Sequence, residues 1–171
     1  VGAAQLVVVE VAGGGVEVRS GDGRGGFLLE EFLLTEKKEH AAAATRGASP
    51  GARVHALATA AGCQLVTSCD LAVAAESAGF ALPGGKGGWF CHTPAVPVAR
   101  SIGRKRLMEM ALTGDIVDAR TAAEWGLVNR VVPDAELDAA VDDLLARATR
   151  GSRASKALGK QALYAQLGRP E

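Results

Sequence analysis

Aromatic side chains are scarce, at 4% of the 171 residues. That leaves few platforms on which bases could stack. Neither sign of charge is in excess: Lys plus Arg is 19, Asp plus Glu is 19, and the formal net charge is zero. A neutral chain gives no reason to expect nucleic acid or an anionic membrane as its main partner. Cysteine is limited to Cys63, Cys69 and Cys91. An odd, sparse set with no C-x-x-C pair is neither a disulfide framework nor a good metal site, and it suits a reducing compartment. No apolar run approaches the roughly 20 residues that span a bilayer. The opening "VGAAQLVVVEVAGGG" has no basic region and carries Glu10, so it makes a poor signal peptide.

What the chain does have is small apolar bulk. Hydrophobic residues are 48% of the sequence, and the core must rest on Ala, Val and Leu. The expected fold class is α/β, because strands alternate with helices. Two parts differ in character, residues 1–52 and residues 53–171. In the first, Gly13-Gly14-Gly15 predicts a hairpin, "GDGRGG" a loop and "FLLEEFLLTEKKEHAAAA" a helix. In the second, a helix is expected from Thr59 to Ser68 and a buried strand from Leu71 to Ala75. Another strand is expected at Phe80 to Leu82, and "GGKGG" reads as a loop. Pro94 to Ile102 and Lys105 to Leu112 read as helices parted by Gly103. Asp118 should cap a helix that stops near Gly126. "LVNRVV" reads as a strand, and Leu137, Val141, Leu144, Leu145 and Ala148 recur at helical period. Ser152 should open a last helix running to about Leu167.

The stretch "HALATAAGCQL" (His55 to Leu65) puts residues without bulk at the entry to a helix. Small residues let another backbone or a ligand come close. They also uncover first-turn N–H groups with no intrahelical acceptor, at the positive end of the helix dipole. Such donors suit a carbonyl oxygen that gains negative charge. Close packing of the helix against a neighbour would call for the same residues.

"VHALATAAGCQLVTSCDLAVAAESAGFALPG" and "RSIGRKRLMEMALTGDIVDARTAAEWGLVNRVVPDAEL" resemble, in order and spacing, the signatures of the crotonase superfamily, the enoyl-CoA hydratase/isomerase family. "ATAAGCQL" with the later "FC.TP" is similar to the branch called enoyl-CoA hydratase domain-containing protein 3. The likeness covers residues 53 to about 167. It implies a crotonase-like (ClpP/crotonase) spiral of ββα units, apparently truncated at both ends. It implies an acyl-CoA thioester as ligand, coenzyme A being part of the substrate, with no separate cofactor and no metal. It also implies a homotrimer or hexamer where the fold is complete. The implied compartment is the bacterial cytoplasm, with the mitochondrial matrix as the alternative.

Carried over position by position, Ala61 of the triplet Ala60-Ala61-Gly62 supplies one oxyanion N–H. The upstream motif that holds the family's first donor is not found in residues 1–52. Gln64 stands where the family has one catalytic Glu, and Gly84 where it has the other. Gln64 cannot transfer a proton at ordinary pH, and hydration needs a positioned acid and base. Ordinary hydratase activity is therefore not expected. Ala58, Ala60, Gly62, Trp89, Phe90 and Cys91 are the expected substrate-binding positions. His92 is a candidate base and Cys91 a candidate nucleophile. The other reading for both is that they line a pocket or cap a helix. A chain that binds acyl-CoA, or only assembles, without catalysis is the alternative function.

Two motifs compete. Gly21, Gly23 and Gly26 fit G-x-G-x-x-G, but no strand with an acidic end follows. "GASPG" fits the nucleophile elbow, yet the residue after Ser49 is Pro50, which has no N–H for the oxyanion. Lys156, Lys160 and Arg169 read as solvated charge or as contacts to a CoA phosphate.

Overall fold

Short runs of Val, Ala and Leu bounded by Gly or Pro make strands, and the computed structural model sorts them into two sheets. It describes residues 51–167 together with two upstream strands, β1 (Val7–Ala12) and β2 (Gly15–Ser20). The strands β3 (Gly51–Val54), β4 (Leu57–Thr59), β5 (Leu71–Ala75), β6 (Gly79–Ala81), β7 (Val117–Asp118) and β8 (Arg130–Val132) follow. The helices are α1 (Ala61–Ser68), α2 (His92–Ile102), α3 (Arg104–Thr113), α4 (Ala119–Trp125), α5 (Leu137–Ala148) and α6 (Arg153–Gln166). The "GDGRGG" loop, the helix expected after it, and Arg169 lie outside the described residues. Among the described residues no helix is long and apolar enough to cross a membrane.

The larger sheet runs β2-β1-β3-β5-β8 and the smaller β4-β6-β7. β1 and β2 form the expected antiparallel hairpin, with Ala12 opposite Gly15. β1, β3, β5 and β8 are parallel in succession. In the smaller sheet β4 and β6 are parallel, and β7 is antiparallel to β6. A simple alternation produces this. β3 joins the large sheet, β4 the small one, and α1 comes after them. β5 and β6 repeat the step, with α2 and α3 after them. This is the crotonase-like spiral of ββα units. β3 spans both sides of position 52, and the β1–β2 hairpin belongs to the same sheet as β3 and β5.

Alternation along β5 divides the interior. Ala72 and Ala74 belong to the main core with Val54, Leu65, Phe80, Leu82, Val98 and Met110. Val73 and Ala75 face the other way, onto Leu137, Val141 and Leu145 of α5. The helical period read from the sequence is thus the face that α5 buries. Gly51 lets α5 approach β3, since a Cβ there would sit 2.8 Å from Leu145 Cδ2.

Several expected boundaries shift. Thr59 ends β4 instead of opening α1, because its backbone pairs in register with Ala81. The "GGKGG" loop is a 3-10 turn over Pro83–Gly87, begun by a proline whose φ is already set for it. α2 begins at His92, two residues before Pro94. Only Arg130–Val132 of "LVNRVV" is strand. Asn129 turns aside and closes the edge of β5: its Oδ1 accepts from Ala72 N at 2.7 Å, and its N–H donates to Ala72 O at 2.9 Å.

The joint between β4 and α1 is the one place where a described residue other than glycine adopts a left-handed φ. Ala60 has φ 45° and ψ −111°. Its N–H donates to Ala81 O at 3.0 Å, extending the β4–β6 pairing by one step. Its carbonyl accepts from Gln64 N at 3.0 Å, closing the first turn of α1. One residue ends a strand and starts a helix, and a β-carbon in that conformation is strained.

Relief of strain of order 1–3 kcal/mol, less the entropic cost of glycine, should make Ala60→Gly more stable by about 1 kcal/mol. Urea denaturation checks it, and an unchanged or lower midpoint would show that no strain resides there. The second joint is the start of α4. Asp118 caps it, accepting from Thr121 N at 3.0 Å and Thr121 Oγ1 at 2.7 Å. Those bonds from Thr121 hold its carboxyl below the usual range. A depressed folded pKa stabilises the fold above the unfolded carboxylate range, and the stabilisation is lost as pH falls through the depressed value. Asp118→Ala should therefore cost about 1 kcal/mol at neutral pH and less in acid. Equal losses at neutral and strongly acidic pH would contradict this.

Candidate functional site

The first turn of α1 carries the expected positions. Ala58, in the middle of β4, is fully buried and pairs with Phe80 of β6. Ala60 makes the turn described above. Ala61 and Gly62 are the first two helical residues, so their N–H groups precede any intrahelical acceptor. No side chain caps this end, and no acidic residue stands in the first turn. The positive end of the helix dipole is left to whatever approaches.

Gln64 sits one turn further on and is 2% exposed. Its Nε2 has no hydrogen-bond partner among the described residues. Gln64 and Ser68 are the buried polar side chains of the described chain. No carboxylate among the described residues is buried. Gln64 therefore has no acidic companion in the interior.

Gly84 follows β6 and stands at the start of the 3-10 turn. Its N–H donates to Cys91 Sγ at 3.3 Å, and its carbonyl accepts from Trp89 N at 3.0 Å. A Cβ at residue 84 would lie 2.8 Å from Cys91 Sγ, from Trp89 Cδ1 and from Trp89 O. The space that a side chain at position 84 would need is already filled. Gly84, Trp89 and Cys91 are thus one packed unit, tied to α1 through the bond between Ala60 and Ala81 just upstream.

The remaining candidates lie further out. Trp89 is 66% exposed and Phe90 is also exposed, so neither encloses a pocket among the described residues. Cys91 is half-buried at the N-cap of α2, packed against the main core. His92 is exposed, and its backbone N–H donates to Phe90 O at 2.8 Å. The structure brings Ala60, Ala61, Gly62 and Gln64 together on α1, and Gly84 with Trp89 and Cys91 on the neighbouring turn. Burial, reinforced by nearby Cys91, pushes the Cys63 thiol up to about 12. Burial, with Asp70 beside it, does the same for Cys69. Both stay protonated at ordinary pH and are poor nucleophiles.

One cluster escaped the sequence. Asp70 accepts from Lys160 Nζ at 2.5 Å and from Tyr164 OH at 2.6 Å. Lys160 is therefore a structural partner of Asp70 and not a solvated charge. Lys156 is likewise engaged, donating to the carbonyls of Ala148 and Arg150 near the end of α5. Neither lysine is poised for a phosphate. The pairing of Asp70 with α6 bridges 90 residues, a separation at which no local pattern signals contact.

Comparison with known proteins agrees with this geometry. The model of the enoyl-CoA hydratase/isomerase family matches residues 50–171. The mitochondrial enoyl-CoA hydratase domain-containing protein 3 of Mus musculus is 47% identical over 116 residues, 68% of this chain and 39% of that protein. The crystal structure of the human protein of that name superposes with a TM-score of 0.73 at 40% identity, covering 82% of this chain and 56% of the other. A Thermobifida fusca protein, described as an enoyl-CoA hydratase and solved in complex with CoA, superposes with a TM-score of 0.70 at 30% identity. It covers 84% of this chain and 56% of the other. The chain thus spans about two fifths of the mouse relative and little more than half of the two structures. With its repeated ββα step and its small-residue helix entry, the chain belongs to the enoyl-CoA hydratase/isomerase family of the crotonase superfamily.

Proposed function

We propose that this chain binds acyl-CoA thioesters through the first turn of α1, without ordinary hydratase chemistry. The observation that carries the reading is the Ala60 joint. It presents the Ala61 and Gly62 N–H groups at an uncapped helix start with no acidic residue in the turn. A thioester oxygen accepts there in a field that favours negative charge. The CoA complex of the Thermobifida fusca relative supports the ligand class. Ala58 and Gly62 keep the approach clear of bulk, and Trp89, Phe90 and Cys91 are the neighbouring candidates for the acyl chain.

The chemistry beyond binding is limited by what lies beside the donors. Hydration needs one group to take a proton from water and another to deliver one to carbon. An amide at 64 and a glycine at 84 do neither. The crowding around Gly84 also blocks a carboxylate side chain from that position. Cys91 and His92 remain the candidates for any turnover, and the exposure of His92 favours binding alone. Assembly into a trimer or hexamer belongs to the same reading. The names of the vertebrate relatives support the mitochondrial alternative of the two compartments expected.

Calorimetric titration tests the proposal. Acetyl-CoA and a longer acyl-CoA should bind saturably, and free acetate should not. Proline is accepted at the first helical position but carries no N–H. Ala61→Pro should keep the helical circular dichroism and weaken acetyl-CoA binding about tenfold, the loss of one hydrogen bond to a polar ligand. Absence of acyl-CoA binding by the folded native chain would refute the reading. Loss of enoyl absorbance from a short enoyl-CoA would refute the non-hydrating part and send the search for a base to His92 and Cys91.

A further inference from the structure

Two thiols stand beside the start of α1, and binding alone uses neither as a reactive group. Cys63 follows Gly62 on α1, is 0% exposed and belongs to the main core. Cys91 is the N-cap residue of α2, half-buried and packed against the same core. α1 and α2 make the most extensive helix-to-helix packing among the described residues. The backbone brings both thiols to one end of that packing. Ala60, three residues before Cys63, donates its N–H to Ala81 O. Gly84, three residues after Ala81, donates its N–H to Cys91 Sγ at 3.3 Å. The two sulfurs also act on each other: nearby Cys91 adds to the burial that pushes Cys63 up to about 12. Cys69 is the contrast. It stands at the other end of α1, six residues and about 9 Å of helical rise beyond Cys63. The group that adds to its burial is Asp70 and not a thiol.

We propose that Cys63 and Cys91 are a redox pair, which a peroxide closes into a reversible disulfide between the first turn of α1 and the start of α2. In the first step the Cys91 sulfur attacks one peroxide oxygen. An S–O bond forms, the O–O bond breaks, and the departing hydroxide takes the thiol proton to become water. In the second step the Cys63 sulfur attacks Cys91 Sγ. An S–S bond forms, the S–O bond breaks, and the departing hydroxide takes the Cys63 proton as a second water. Two thiols are oxidised and one peroxide is reduced. Cys91 reacts first because it is the half-buried one, while Cys63 is sealed. A sealed, protonated thiol is a poor nucleophile toward outside reagents. Against a neighbour held in place, proximity offsets that handicap. A reducing compartment keeps such a pair as thiols at rest, and disulfides that form there are transient and redox-sensing. The bond draws Cys91 Sγ toward α1 and away from Gly84 N–H, which displaces the turn beside the helix entry. Resting on the thioester reading above, the disulfide form therefore binds acyl-CoA more weakly.

The test treats the reduced, folded chain with a modest excess of hydrogen peroxide. Open thiols are then blocked with iodoacetamide in denaturant, and the unreduced chain is weighed and mapped by mass spectrometry. The expected product is a single chain with Cys63 joined to Cys91 and Cys69 alone alkylated. Dithiothreitol should return all three thiols. Cys69→Ala should close as the native chain does. Cys63→Ala should stop at the sulfenic acid of Cys91, which dimedone traps. If Cys63→Ala does not fold, the native chain and Cys69→Ala decide the matter between them. Three open thiols after peroxide, Cys91 over-oxidised with no bond formed, or a bond that includes Cys69 would each overturn the pair. Calorimetry then compares the two forms. Acetyl-CoA should bind the disulfide form about tenfold more weakly, and dithiothreitol should restore the affinity. Equal affinity would overturn the effect on binding. A mapped disulfide in a chain that binds acetyl-CoA in neither form would overturn the thioester reading and leave the redox pair standing.

Discussion

Everything about this site depends on a single backbone bond, from Ala60 N–H to Ala81 O. It belongs to the sheet on one side and to the helix on the other. Because Ala60 continues the pairing of β4 with β6, the chain reaches α1 with its direction fixed by the smaller sheet. Because Ala60 then takes a left-handed φ, the helix starts at once, with no intervening loop and no capping side chain. The uncapped first turn results directly from a strand that runs into a helix within one residue. The same bond fixes the distance between α1 and the turn at Gly84, since that turn leaves the chain directly after β6. Two separate stretches of sequence, around residues 60 and 84, become neighbours through the β4–β6 pairing that this bond extends.

The packing around that bond explains the composition. With so few aromatic residues, the described interior is closed by alanine, valine and leucine on both faces of β5, with Phe80 and Met110 among the few larger side chains. Small side chains bury little area each, so the fold compensates by bringing backbones close together. Gly51 under α5 and Gly84 against Trp89 and Cys91 are places where a larger residue would push elements apart. Scarcity of bulk is therefore part of the architecture.

Much of this was legible in the sequence, and the reasons differ by element. α5 could be read because Leu137, Val141 and Leu145 repeat at the helical period and face one surface. α4 could be read because Asp118 and Thr121 form a cap within four residues. The crotonase-like character was legible because the stretch from Val54 to Gly84 keeps its family order. The strands β3 and β4 were not, since three or four residues of mixed size carry no period. The start of α1 was misplaced by two residues because strand pairing with β6, a tertiary effect, claimed Thr59. The partner of Asp70 was invisible because it arrives from α6. The filling of the Gly84 site by Cys91 could not be seen either: a glycine in sequence says that something comes close, but not what.

α6 is a helix held to the domain by polar groups. None of its residues is buried, and Leu158 and Leu163 are exposed, as is Leu167 just after it. Lys160 and Tyr164 fasten it to Asp70, at the far end of α1. Hydrophobic docking would tie such a helix to the cooperative unfolding of the whole domain. An ionic and hydrogen-bonded hold ties it instead to polar groups, the Asp70 carboxylate and the carbonyls of Ala148 and Arg150 among them. The segment is then free to exchange its amide protons by detaching as a unit while the two sheets stay intact.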